Sequence, residues 1–166
     1  ARSPLQARCV QLARMGCAAF FYDMLGYADS VQFCDADGKV LHRHGTQERG
    51  FLSPEAELNL CGYFPLQTWN SVRVLDFITS LPFVDPSRIG CTGASGGGTQ
   101  TLVIAGIDDR VAASFPCVMT STAMQGGCTC ENANFLRIGQ GNVDLAALAA
   151  PRPLGMTAAD DWTKEL

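Results

Sequence analysis

Apolar and polar positions fall along this chain in blocks that switch between helical and strand-like rhythm. Ser3-Pro4 places a capping residue before a proline at the first helical position. Leu5, Cys9 and Leu12 then recur at helical spacing, with Arg8, Gln11 and Arg14 off the stripe. Gly16 is a natural stop. Cys17-Ala18-Ala19-Phe20-Phe21-Tyr22 follows as a short unbroken apolar run, the pattern of a buried parallel strand. Asp23 to Ser30 reads as a loop.

Residues 31–65 show no period and are punctuated by Gly38, Gly45, Gly50, Pro54 and Gly62, which predicts a long surface excursion. Gln67 to Leu81 is predicted helical, with Trp69, Val72, Leu75 and Ile78 on one side and Val74 and Phe77 widening a buried face. Trp69 is thereby a core position, while Trp162 has no pattern to place it. Pro82 and the turn Asp85-Pro86-Ser87 end that unit. Then come a strand over Arg88–Thr92, a helix over Thr99–Ile107, a turn at Asp108-Asp109 and a strand over Val111–Met119. Residues 120–150 form a second Gly-rich excursion, and Pro153–Ala158 a further strand with Asp160-Asp161 just past its end. This alternation predicts an α/β fold, a parallel sheet with helices on both faces. No repeat or linker divides the chain, so residues 1–166 read as one domain, with both excursions beside the presumed active site.

Composition narrows the partners. Hydrophobic residues make up 47% and charged residues 17%, a globular balance. The net charge of −4 comes without any Lys/Arg cluster, which argues against nucleic acid or an anionic membrane surface as partner. No apolar run reaches the ~18 residues that span a bilayer. Of eight cysteines, Cys9, Cys17, Cys91 and Cys117 fall in apolar segments, where cysteine behaves as a small buried hydrophobe. Cys34, Cys61, Cys128 and Cys130 lie in loop-like stretches and could pair. Cys128-x-Cys130 lacks the further ligands and spacing of a zinc site, and no metal or cofactor is expected.

The chemistry concentrates at Gly93-Ala94-Ser95-Gly96-Gly97. A nucleophilic serine needs an exposed hydroxyl, a base beside it and an oxyanion site facing it. A sharp strand-to-helix turn provides the exposure, at the cost of strained backbone and close contact between its flanks. Gly93 and Gly97, two residues either side of Ser95, remove the Cβ atoms that would clash. The N–H of Gly96, at the start of the helix, is the candidate oxyanion donor. The same stretch, read as Thr92-Gly93-Ala94-Ser95-Gly96-Gly97-Gly98, is similar to the cofactor loop of short-chain dehydrogenases. That loop needs a glycine where Thr99 stands, and a Tyr-x-x-x-Lys downstream, whereas Tyr22, Tyr27 and Tyr63 all lie upstream. No Lys follows the glycines, so a Walker loop fails. A non-catalytic binding module on the hydrolase fold is a third alternative.

In hydrolases of this kind the triad runs Ser, acid, His along the chain. Asp161 is the preferred acid, ahead of its neighbour Asp160. His42 and His44 both precede Ser95, so in that order the base is expected beyond Leu166. Without such a base this segment alone is expected to be nearly inert.

Several motifs carry a resemblance. Asp85-Pro86-Ser87-Arg88-Ile89-Gly90, Gly93-Ala94-Ser95-Gly96-Gly97-Gly98-Thr99 and Asp108-Asp109-Arg110-Val111 resemble acetyl xylan esterase-like α/β-hydrolases, near the dienelactone-hydrolase and cephalosporin-deacetylase group. Tyr22 to Ser30 is similar to the loop after the fourth strand in that group. Gly126-Gly127-Cys128-Thr129-Cys130-Glu131-Asn132 and Asp160-Asp161-Trp162-Thr163 resemble motifs of a bacterial branch. The resemblance implies a three-layer sandwich truncated at both ends, with Ser95 as nucleophile and Asp161 as acid. It also implies a second oxyanion donor lying before Ala1, and a small-molecule or carbohydrate ester, such as an acetyl ester, as substrate.

Overall fold

A strand, a one-residue turn, a helix and a second strand form the centre of the molecule. The computed structural model describes residues 3–32, 34–39, 53–122, 129–131 and 135–157. Its elements are α1 (Pro4–Arg14), α2 (Pro54–Leu58), α3 (Tyr63–Thr79), β1 (Ile89–Ala94), α4 (Gly96–Ile107), β2 (Val111–Cys117) and α5 (Asn142–Ala147). Short 3-10 turns cover Thr129–Glu131 and Phe135–Arg137.

β1 and β2 pair in parallel, with Cys91 opposite Ser114 and Ala94 opposite Cys117. α4 makes the crossover between them. It has no polar face turned to water, and Gly98 to Ala105 are buried, Thr99, Gln100 and Thr101 among them. One cluster joins Leu75 of α3, Ile89, Ile104, Ala105, Val111 and Ala149; a second joins Phe64, Leu102, Val103 and Leu145. Helices α3 and α5 thus enclose α4 against the sheet. Along β1, Ile89 is buried and Cys91 half-buried, while Gly90, Thr92 and Ala94 are exposed. The described residues therefore supply the sheet and the helices on one of its faces.

Two arginines fasten the far end of this unit. Arg152 donates to the carbonyls of Ala105, Asp108 and Val111, which ties the last turn of α4 to the start of β2. Arg110 donates to both carboxylate oxygens of Asp108, at 2.9 and 2.6 Å, and to Asp76 of α3 at 2.6 Å. The Arg110 side chain holds the Asp108 carboxyl below the usual carboxylate range.

Several boundaries differ from the sequence reading. α3 starts at Tyr63 rather than Gln67, because Gly62 supplies an extended N-cap and Tyr63 buries itself with its hydroxyl on the Leu25 carbonyl at 2.6 Å. Its buried side is Tyr63, Phe64, Gln67, Ser71 and Leu75, which rotates Trp69 and Phe77 outward to 56% and 51% exposure. Trp69 is therefore no core residue; the Arg73 guanidinium lies over its ring at 4.6 Å. The excursion at 31–65 contains a short helix, α2, capped by Ser53 accepting from the Ala56 N–H. The one at 120–150 contains α5. α4 begins at Gly96 rather than Thr99, and β2 ends at Cys117 rather than Met119, where Val118 and Met119 turn to positive φ of 58° and 69°.

The run 17–22 is not a buried strand. It pairs with neither strand of the sheet, and residues 17–21 are exposed, Cys17 included. Its described contacts come from one side, with Phe20 against Phe77 of α3 and the Tyr22 hydroxyl bonded to Ser71. A strand reading requires cover on both faces, and that cover does not exist among the described residues. Of the strand expected over 153–158, the described part, 153–157, runs parallel to β2 and bridges it at Ser114 to Leu154 and Cys117 to Thr157.

Candidate active site

Ser95 is the single residue between β1 and α4. Its backbone sits at φ 56°, ψ −123°, a conformation that L-residues adopt only where their surroundings enforce it. Three hydrogen bonds do so. The Ser95 N–H donates to Cys117 O at 3.3 Å, and its own carbonyl accepts from Gly98 at 2.7 Å and Thr99 at 3.1 Å. The residue is exposed at the tip of the turn.

The glycines around it do different work. A Cβ on Gly93 would stand 2.5 Å from Gly97 O and 2.9 Å from Gly97 Cα, inside any permitted contact. Gly93 is therefore required by the closeness of the two flanks. A Cβ on Gly97 would meet nothing within 4 Å, so the approach is limited from the Gly93 side alone. A Cβ on Gly98 would reach Cys117 O at 2.8 Å, which sets how near α4 can lie to the end of β2. Gly96 opens α4, so its N–H has no acceptor one turn earlier and can face an incoming oxygen.

A carboxylate that the sequence reading did not single out reaches this turn. The Ser95 hydroxyl donates to Glu131 Oε1. Glu131 is buried at 6% exposure and closes the 3-10 turn Thr129–Glu131, which packs against α3 and α4. The preceding residue, Cys130, is held in a disulfide and lies flush on the start of α4. A Cβ on Gly96 would stand 2.9 Å from its Sγ and 3.3 Å from its carbonyl oxygen. Gly96 thus lets the 129–131 turn sit directly on the elbow. The one signal available earlier was that Glu131 stands within the motif Gly126 to Asn132, after the second strand of the unit.

Asp161, Asp160, Trp162, His42, His44 and Cys128 lie outside the described residues. Cys34 and Cys61 are free thiols, and burial pushes the Cys91 thiol upward, against a weaker pull from its bond to Thr101. Among the described residues no group of three or more His, Cys, Asp or Glu is placed to hold a metal ion. No described helix is long and apolar enough to cross a membrane.

A serine at positive φ between a parallel strand and a buried crossover helix defines an α/β-hydrolase-type fold. Residues 2–120 match the acetyl xylan esterase (AXE1) family, and the chain belongs to that family. It is similar to the solved methylesterase BT1017, at 38% identity and a TM-score of 0.53, over 58% of this chain and 22% of that one. It is also similar to a glucuronoyl esterase from Solibacter usitatus, at 19% identity and a TM-score of 0.43, over 60% of this chain and 32% of that one. The chain thus spans under a third of the length of either protein, with 22% of the first and 32% of the second. None of the curated proteins matches it.

Proposed function

We propose that this chain belongs to an enzyme that hydrolyses carboxylic esters, small acyl esters such as acetyl among them, through an acyl-Ser95 intermediate. The observation that carries the reading is the exposed Ser95 at φ 56° between β1 and α4, inside a chain of the acetyl xylan esterase family. Ser95 Oγ attacks the ester carbonyl carbon as its proton passes to the imidazole that the chain order of this fold calls for, which then gives it to the departing alcohol. Negative charge gathers on the carbonyl oxygen, which the Gly96 N–H stabilises from the positive end of α4. Asp161 serves as the acid of the site in the chain order of this fold. The alcohol departs, and water then releases the acid from Ser95. Family membership favours this reading of the glycine-rich turn over a dinucleotide loop. The acetyl xylan esterase family and the name of the methylesterase at 38% identity support an ester of a small molecule or a carbohydrate as substrate.

A serine-directed phosphonate tests it in the complete protein. The phosphonate is expected to attach to Ser95, and Ser95→Ala to abolish both attachment and turnover of p-nitrophenyl acetate. Turnover that survives in Ser95→Ala overturns the assignment.

A further inference from the structure

We propose that Thr157 is a positioning residue of this site: it holds the left-handed corner Val118-Met119, next to the carbonyl that seats the Ser95 N–H. The proposal rests on the reading of Ser95 as nucleophile and extends the machinery to a strand outside the elbow.

The corner is strained, and it adjoins the serine. Val118 and Met119 stand one after the other at φ 58° and 69°, and neither is glycine. A β-branched residue such as valine holds a positive φ only where neighbouring groups impose it. The corner follows directly on Cys117, the last residue of β2, whose carbonyl accepts the Ser95 N–H at 3.3 Å. It also lies against the first turn of α4, since a Cβ on Gly98 would stand 3.3 Å from both Val118 O and Met119 Cγ. Relaxation of Val118 toward ordinary dihedrals would therefore shift the acceptor of the Ser95 N–H and the surface on which α4 rests.

Thr157 is placed to prevent that relaxation. It bridges Cys117 in parallel, its N–H donating to Pro116 O at 3.3 Å and its carbonyl accepting the Val118 N–H at 3.0 Å. Its hydroxyl oxygen accepts the same N–H at 3.1 Å. The side chain thus gives the strained peptide a second hold that a sheet ladder alone would not. At the other end of the corner, the fully buried Asn142 donates its Nδ2–H to the Met119 carbonyl. Thr157 itself is exposed, so water readily replaces its hydroxyl, and the bond adds little to the stability of the fold. Its effect falls on geometry instead. Thr157 stands four positions before Asp161, so one residue fastens the segment leading to the expected acid to the segment that seats the nucleophile. A displacement of roughly 1 Å in such a site costs ~10²-fold in rate.

The test compares Thr157→Val, Thr157→Ala and Thr157→Ser in the complete protein, with Ser95→Ala alongside. The readouts are kcat and KM for p-nitrophenyl acetate, the rate of phosphonate attachment at Ser95, and thermal melting. Thr157→Val keeps the branched shape and removes only the acceptor. It is expected to lower kcat and the attachment rate together by about 10-fold, a part of the full misplacement cost, with KM and melting temperature unchanged. Thr157→Ala is expected to fall with it, and Thr157→Ser, which keeps the hydroxyl, to retain most of the rate. Wild-type kcat and attachment in folded Thr157→Val and Thr157→Ala overturn the proposal. So does a loss that Thr157→Ser shares in full, because the hydroxyl is then not its cause. A raised KM at unchanged kcat also overturns it, since Thr157 would then bind the ester rather than position the serine. Surviving turnover in Ser95→Ala is a distinct result, which removes the nucleophile reading and the proposal with it.

Discussion

The unit from Ile89 to Cys117 and the stretch from Cys17 to Tyr22 are both rich in apolar residues, yet only the first is enclosed. Leu102 and Val111 are almost fully buried, whereas Phe20 and Phe21 remain 49% and 58% exposed. The difference is one of neighbours. α4 has a sheet on one side and α3 and α5 on the others. The run 17–22 has α3 beside it and, among the described residues, no strand paired along it. An apolar pattern states which atoms gain by leaving water; it does not state that anything is present to cover them.

The strongest way to break the enclosed unit is at its narrowest point. Gly93→Ala forces a methyl group to within 2.5 Å of the Gly97 carbonyl oxygen, which is backbone and can yield only if β1 and α4 move apart. A cost of at least ~1–3 kcal/mol is expected from overpacking. A larger effect is expected on the site, with phosphonate attachment at Ser95 lost even where the variant stays folded. Gly97→Ala is the matched control. Its methyl meets nothing within 4 Å, so stability is expected to hold or rise by up to ~1 kcal/mol through helix propensity. Denaturant melts of the two variants check this. Equal destabilisation would show that the two flanks are not as close as the structure places them.

That asymmetry marks how far the sequence was legible. The elbow could be read because its demands are local. A short apolar strand, a glycine two residues before a serine and an apolar helix after it specify one turn. The positive φ at Ser95 follows from that tightness. Whether Gly97 itself faced a neighbour could not be read, since that depends on the side of α4 it occupies. The rotation of α3 was hidden for a related reason. Trp69, Val72, Leu75 and Ile78 make a plausible apolar stripe, but polar Gln67 and Ser71 sit on the buried side instead. There Ser71 hydrogen-bonds Tyr22 and the Gln67 carbonyl, and Thr68 bonds Gln100 Oε1, while Gln67 Oε1 and Gln100 Nε2 have no partner among the described residues. Glu131 was the least legible of all. Its approach to Ser95 spans 36 residues of sequence and depends on how the 129–131 turn docks on α4. No periodicity records that. The short helix α5 was likewise concealed within a glycine-rich stretch.

A smaller effect is expected at the opposite end of the enclosed unit, where charge rather than packing holds it. Arg110 grips both oxygens of Asp108 and lowers the pKa of that carboxyl in the folded state. A carboxyl depressed on folding contributes stability above its unfolded value, near ~4, and loses it as pH falls through the lower folded value. Arg110→Ala is therefore expected to cost on the order of 1 kcal/mol at neutral pH, since the pair is partly exposed. The gap between wild type and variant is expected to shrink as the solution is acidified past the carboxylate range. Urea melts at a series of pH values measure it. A gap independent of pH would mean that Arg110 acts through packing of its stem rather than through Asp108.

The smallest effect belongs to the exposed run, and it is the sharpest test of the comparison. Phe20 stacks on Tyr22 at 6.3 Å and tilts against Phe77 at 5.5 Å, but it and Phe77 are each about half exposed. A fully enclosed aromatic or leucine typically loses ~2–5 kcal/mol on truncation to alanine. A ring with water on one side forfeits only part of its transfer energy and leaves no sealed cavity. Phe20→Ala is therefore expected to cost less than ~1 kcal/mol, comparable to one aromatic pair. Trp69→Ala is expected to cost no more, since it removes a single surface contact with Arg73 worth ~0.5–1 kcal/mol. Equilibrium unfolding of both variants decides the matter. If Phe20→Ala proves as damaging as truncation of a core residue, something encloses the run 17–22 in solution, and its apolar pattern was a strand signal after all.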